Sequence, residues 1–579
     1  MIPCSFDPAS EDYADFILRY SSRTSDEVFK FTSSTCINFI SREFAIVHTP
    51  LESVLPLSIS RYTYTAIPKL YSLLDTTALE SSGVLDAVRQ PAIRASGRGV
   101  MIGIIDTGID YTSPLFRRAD GTTRIVGIWD QTITSDTEPQ AVSGFQPFYG
   151  TVYIQDDINN ALRLRNPYEL VPSRDTNGHG TFLASIAGGS RIQTPTAFSG
   201  SAPEAELAVV KLKPAKQYLR DFFLIAPDVP AYQENDIMSA VSFLLGLAGD
   251  RRMPLVLLFG LGTSQGSHDG TSPLCLQLQA LTSSMGLVAV AGAGNETGYH
   301  HHYLGNLSEQ EEWDDVELRV SEGENGFCME LWANEPDLYT IGFVSPSGEQ
   351  IERVPLVLGK ETEITFALDA TKIALTYQTY ESSSGSQLIF LRFETPSPGI
   401  WHIRVYPVLY LSGQFHIWLP QNPFIAPRTI FLRSDPDTTI TDPGNGQMPV
   451  TVGAYNHLSD SIYIHSSRGY TRSSAIKPDL CAPGVDVQGA SSSDDPNADP
   501  ENLFTRKTGT SVSAGLTAGA CAVILSWAFV DGNAPYLTST SVKAMLIGGA
   551  GRNPAFRYPN RQWGYGTLNL YQSFLNLRE

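Results

Sequence analysis

Lys507-Thr508-Gly509-Thr510-Ser511-Val512-Ser513-Ala514-Gly515 leads into the apolar run from Leu516 to Val530. Small and β-branched residues ahead of a serine, then a stretch rich in Ala and Gly, read as a tight turn feeding a buried helix. Ser511 then stands at a helix N-terminus, where unpaired backbone N–H groups and the positive end of the helix dipole face its hydroxyl. That position suits a developing oxyanion better than an ordinary surface serine. Gly-Thr-Ser before small residues also occurs in plain loops, so a catalytic reading needs partners elsewhere in the chain.

Two stretches supply them. Gly99 to Asp106 is a short apolar run ending in a carboxylate, as expected of a buried parallel strand whose C-terminal end faces a ligand crevice. Asp175-Thr176-Asn177-Gly178-His179-Gly180-Thr181 precedes a helical stretch, with glycines on either side of His179 that let neighbouring backbone pack close. Asp106, His179 and Ser511 supply an orienter, a general base and a nucleophile, in the chain order Asp, His, Ser that is known from subtilisin.

Ile104-Ile105-Asp106-Thr107-Gly108, Asn177-Gly178-His179-Gly180-Thr181 and Gly509-Thr510-Ser511 resemble the three signature motifs of the subtilisin-like serine proteases. Further matches follow in the same order. Ala291-Gly292-Ala293-Gly294-Asn295 is similar to the family's oxyanion-hole strand, which makes Asn295 the side-chain donor and places Gly292, Ala293 and Gly294 along the substrate. Residues 255–262 resemble the strand that pairs with substrate backbone, with Gly260, Leu261 and Gly262 at its end. Ser466-Ser467-Arg468-Gly469 and the segment from Lys477 to Gly484 resemble the two segments ahead of the serine. Two departures stand out. Gly260 replaces the serine usual before Leu-Gly, leaving primary specificity open. Gly515 stands where proline is usual, and is expected to loosen the backbone near the nucleophile.

Length and composition set bounds on the rest. A chain of 579 residues allows three or four domains. A net charge of −20 argues against a nucleic-acid partner. The first 30 residues show neither a basic n-region nor an apolar h-region, so no secretory signal is expected, and the location expected is cytoplasmic or spore-associated. The apolar run after Ser511 is broken by Gly, Thr and Ser and reads as a core helix, with no membrane span expected. The six cysteines lack metal-type spacing and are expected as buried reduced thiols.

Four domains are expected. Residues 1–65 form a small α+β unit, with a helix over 12–20 and strands over 36–40 and 44–48; the resemblance implies a pro-domain that assists folding and then fills the cleft. Its extended tail, residues 60–65, predicts self-cleavage at Thr65–Ala66; the alternative is a strand that is never cut. Residues 66–300 carry the first part of the protease, with a first helix over 73–87 and a βα rhythm from 200 to 295. Residues 301–428 change to short β runs punctuated by turns, about eight strands, as in an inserted antiparallel sandwich; Trp313, Trp332, Trp401 and Trp418 are expected in its core. Residues 429–579 resume the α/β pattern. The fold class expected is therefore an α/β doubly wound parallel sheet with an N-terminal α+β unit and an inserted all-β domain. His300-His301-His302 are adjacent and cannot comfortably face one ion, so a polar loop is expected and neither metal nor cofactor is assigned.

The long separation between Asp106 and His179, filled by residues 121–132, 148–151 and 157–162, is similar to the Csp germination protease branch of spore-forming clostridia. That resemblance implies a jelly roll for the insert, and as substrate the zymogen of a cortex-degrading hydrolase. The function expected is serine endopeptidase; the alternative is a pseudoprotease that binds or senses on the same scaffold.

Overall fold

The computed structural model describes residues 7–20, 36–74, 96–134, 139–193, 197–494 and 503–577. Its centre is a nine-stranded sheet in the order Ser461–Ile462, Val450–Asn456, Leu287–Gly292, Leu255–Phe259, Met101–Asp106, Glu206–Lys211, Ile125–Asp130, Thr151–Ile154, with Leu480–Pro483 also paired to Val450–Asn456. The two outermost strands of this order pair antiparallel to their neighbours and the rest pair in parallel. Met101–Asp106, Leu255–Phe259 and Leu287–Gly292 are buried at every residue. Helices on both faces cause this. His179–Gly188 and Thr510–Leu525 pack with one apolar cluster, Glu234–Arg251 and Pro273–Gln279 with the other. The expected doubly wound α/β fold is the fold observed. Thr510–Val530 is long and apolar enough to cross a membrane, yet 89% of its most apolar window is buried inside the molecule.

The N-terminal unit differs from expectation. Tyr13–Arg19, Ile37–Phe39 and Phe44–Pro50 form an antiparallel sheet with Phe44–Pro50 in the middle. The helix expected over 12–20 is a strand. Ile17 packs into the cluster beneath helix Glu234–Arg251, whereas Ala14 and Phe16 join Tyr218 and Phe222 on the other side. A strand covered on both faces loses the alternation that would mark it as one. The cysteine expectation is also corrected: Cys36 is disulfide-bonded, while Cys275, Cys328, Cys481 and Cys521 are free and buried. A crosslink suits a unit of three short strands, whose own core is small. The helix expected over 73–87 lies mostly outside the described residues, and Leu73, where it was to begin, closes a strand, Leu70–Leu73.

The insert is a two-layer antiparallel sandwich with strands from His302–Asn306 to Ile430–Phe431, six in one sheet and five in the other. Trp401 is fully buried between the sheets. Trp332 and Trp418 instead seal the sandwich against the N-terminal connector and helix Gln217–Phe223. Trp313 is only half-buried, beneath the Arg404 guanidinium.

Candidate active site

Strand Met101–Asp106 delivers its terminal carboxylate to the end of the sheet where the parallel strands stop. Asp106 Oδ1 accepts from the Thr107 backbone N–H at 2.8 Å and from His179 Nδ1 at 2.7 Å. A carboxylate only accepts, so Nδ1 carries the proton and Nε2 is left as an acceptor. His179 Nε2 lies 3.4 Å from Ser511 Oγ. All three residues are fully buried.

Local chemistry holds the histidine in place. Asp175 accepts from the backbone N–H of Gly178 at 2.9 Å and of Thr181 at 2.8 Å, and from the hydroxyls of Thr181 and Thr107 at 2.6 and 2.8 Å. It thereby caps the first turn of helix His179–Gly188 and ties it to the aspartate loop. A Cβ at Gly180 would sit 2.2 Å from the Gly108 carbonyl, so only glycine allows the two loops this approach. Sequence reading quoted Asp175 within its motif but missed this role, although an aspartate just ahead of a helix is a capping signal.

Ser511 occupies the first turn of helix Thr510–Leu525, all of whose residues are buried. Gly515, expected to loosen the backbone, does something else: its missing side chain lets the helix pass close to Ile186, whose Cδ1 would lie 2.8 Å from a Cβ there. Asn295 Oδ1 accepts from the Thr510 N–H at 3.1 Å, and Gly294, with φ of +103°, donates its N–H to Thr510 Oγ1.

The cleft is filled by the chain itself. Leu70–Leu73 lies between Leu261–Gly262 and Tyr232–Gln233 as the middle strand of an antiparallel sheet, with Leu73 opposite Leu261 and Ser72 opposite Gly262. Leu74 donates its N–H to the Gly260 carbonyl at 3.0 Å, and its own carbonyl accepts from the Ser511 N–H at 3.3 Å. Its side chain lies over Gly292, where a Cβ would come 3.1 Å from Leu74 Cδ1. Ala293 exchanges backbone bonds with Val452 and Thr441, one layer back. Gly260, Leu261, Gly262 and Gly292 thus converge around one extended segment, while Gly294 and Asn295 are bonded to Thr510 beside the nucleophile. Thr65 and Ala66 do not take part. They belong to the short helical turn Tyr64–Ala66, with Thr65 Oγ1 3.3 Å from Ser382 in the sandwich. Leu74 occupies the place foreseen for them, because the chain needs residues 66–69 to travel from the sandwich to the cleft.

His300, His301 and His302 diverge, to Ser434, Glu296 and His416 respectively. His301 and His302 are buried, so the polar loop expected there is part of the interior. Among the described residues no three His, Cys, Asp or Glu side chains gather as metal ligands would.

A subtilase family model matches residues 97–318 and 432–566, on either side of most of the sandwich. The chain belongs to the subtilase family. Among solved structures, this subtilase is similar to the CspB protease of Clostridium perfringens, 28% identical with a TM-score of 0.74, over 86% of this chain and 96% of that one. Subtilisin-like protease SBT3.10 of Arabidopsis thaliana is 24% identical over 503 residues, 79% of this chain and 59% of the relative. Subtilisin-like protease SBT2.2 of the same plant is 29% identical over 189 residues, 30% of this chain and 21% of the relative. The subtilase thus spans less than two thirds of the length of either plant relative.

Proposed function

We propose that the protein is a serine endopeptidase that first cuts its own chain between Leu74 and Asp75. The observation that carries this reading is the Leu74 carbonyl held against the Ser511 N–H, beside a histidine whose tautomer is set by Asp106. Ser511 Oγ attacks the Leu74 carbonyl carbon and gives its proton to His179 Nε2. Asp106 stabilises the imidazolium, and the Ser511 N–H and the Asn295 side chain receive the oxyanion. His179 then protonates the departing Asp75 amine, and water, activated by the same imidazole, releases Leu74 from the acyl-enzyme. The 3.4 Å separation between Nε2 and Oγ fits a relay that tightens as charge develops.

The N-terminal unit would then act as a pro-domain that remains docked after the cut. Tyr64 donates to Glu330 of the sandwich at 2.6 Å, Gln378 donates to the Ile59 carbonyl at 2.9 Å, and Lys216 bonds Asp15 at 3.0 Å. The likeness to the CspB protease supports a narrow processing role of the germination type, with a protein zymogen as later substrate. N-terminal sequencing tests the core of the proposal. The native chain should yield a new terminus at Asp75, and Ser511→Ala should stay at full length. A native chain that also stays whole overturns self-processing, and a terminus at Ala66 returns the cut to the tail first expected.

A further inference from the structure

Gln421 follows strand Gln414–Trp418 of the sandwich and is buried, 2% exposed, although no sequence motif marks it. Its carboxamide reaches the protease cleft. Oε1 accepts from the Ser264 backbone N–H, and Nε2 donates to the Gly262 carbonyl at 2.5 Å and to Ser72 Oγ at 2.8 Å. A primary amide has two N–H donors and one carbonyl acceptor. Two of its three bonds go to Gly262, in the strand that holds the segment in the cleft, and to Ser264 just beyond it, and they fix the plane of the amide whatever lies there. The remaining N–H is thereby aimed at one point, the side chain two residues before Leu74. Ser72 is 1% exposed at that point, so water has little access to replace it.

We propose that Gln421 is a specificity-determining residue that selects a small side chain with a hydrogen-bond acceptor, serine above all, two residues before the residue whose carbonyl is attacked. This rests on the reading that Leu74 marks the bond cut. A protein substrate carrying alanine or an aliphatic residue there leaves the buried Nε2 donor unpaired, which makes it a poorer substrate. The inserted domain therefore contributes a side chain to substrate choice as well as a wall. Substrate backbone pairing with Leu261–Gly262 is blind to side chains, and Gln421 adds the selectivity which that pairing lacks.

The test begins in the uncut Ser511→Ala chain, so that it does not depend on catalysis. Amide hydrogen exchange of residues 70–74 is followed for Ser72→Ala, for Gln421→Met and for both together. Each single change should speed exchange about tenfold, and the double variant should exchange no faster than the singles. Effects that multiply to about a hundredfold, or no effect of either change, overturn the proposal. Gln421→Glu, which keeps the acceptor for Ser264 and removes both donors, replaces the methionine variant if exchange elsewhere shows that one misfolded. The active protein is then given quenched peptides with Leu-Tyr-Ser-Leu-Leu or Leu-Tyr-Ala-Leu-Leu before the cut. Serine should be favoured about tenfold in kcat/KM by the native chain and not at all by Gln421→Met; a preference that survives the substitution refutes the assignment. If neither peptide is cut and the native chain also stays whole, the peptidase reading fails; if the chain has processed itself, its severed end is holding the cleft; in both cases the exchange cycle decides Gln421.

Discussion

Asn295 shows how one side chain is oriented by its neighbours. Its Oδ1 is engaged by the Thr510 N–H, and among the described residues its Nδ2 makes no hydrogen bond. In the proposed mechanism that amide joins the Ser511 N–H, which already holds the Leu74 carbonyl. Asn295→Ala should lower kcat about 100- to 1000-fold with little change in KM, the cost known for the corresponding donor in subtilisin. Steady-state kinetics on a peptide substrate measures it; an equal fall through KM alone would mean that the amide binds ground state and transition state alike. At this scale the site was legible in the sequence. Asp106, His179 and Ser511 each need small neighbours that let loops meet, and those requirements write contiguous motifs such as Gly178-His179-Gly180. Leu74 wrote none. It is held by main-chain groups at Gly260 and Ser511, which any residue could meet.

Among the elements, the N-terminal sheet is joined to the protease by charge as well as by apolar contact. Asp15 accepts from Lys216 Nζ at 3.0 Å, from His48 Nδ1 at 2.8 Å and from Gln233 Nε2 at 2.8 Å, all in the interior. Burial opposes ionisation of Asp15, but Lys216 and His48 outweigh it and hold the carboxyl below its ordinary 3.8. A depressed carboxylate stabilises the docked state above that ordinary value, and the contribution is lost as pH falls below it. Lys216→Met leaves a buried carboxylate short of its main counter-charge and should weaken docking by about 3–5 kcal/mol. Gel filtration after processing reads this directly: the cut N-terminal fragment should travel with the native protein and separate from the variant. The same sheet shows why a strand was mistaken for a helix. Tyr13–Arg19 places Ala14, Phe16 and Leu18 on one face and Tyr13, Asp15 and Ile17 on the other, and since both faces are covered the period of its sequence carries no clear record of which element it forms.

Across the whole molecule, the join between sandwich and protease contains a chain of neutral imidazoles. His416 Nδ1 and His302 Nε2 are 2.9 Å apart, and His302 Nδ1 is 3.2 Å from the Asp435 carbonyl. The chain closes with His416 donating to His302 and His302 donating to the carbonyl. Burial lowers His302 to about 4 and takes His416 well below its ordinary 6.5. Both stay neutral in the folded state where the unfolded chain would bind protons. Their contribution is complete above pH 6.5 and is lost as pH falls towards 4. Thermal unfolding should therefore show Tm dropping steeply over that window, and His302→Gln should flatten the drop while lowering Tm at pH 7.5. A Tm that is level between pH 6.5 and 4 would show that these rings do not control the join. The insert was legible as β-rich through its turn residues. Its tie to the protease was not, because Trp332, Trp418 and the histidines gain their meaning only when residues some hundred positions apart meet.

The strand Leu70–Leu73 and the nucleophile share one polypeptide. Under the proposed self-cleavage the first reaction is unimolecular, with a tethered reactant whose local abundance no free polypeptide in solution can match. On that proposal dilution leaves its pace untouched, and each molecule would complete its own maturation before any encounter with a client. Clients would then compete with a severed end still paired to Leu261 and Gly262 at the cleft edge. Turnover of other proteins would thus be governed by how readily that end departs, a rate belonging to the interfaces and not to the bond-breaking chemistry.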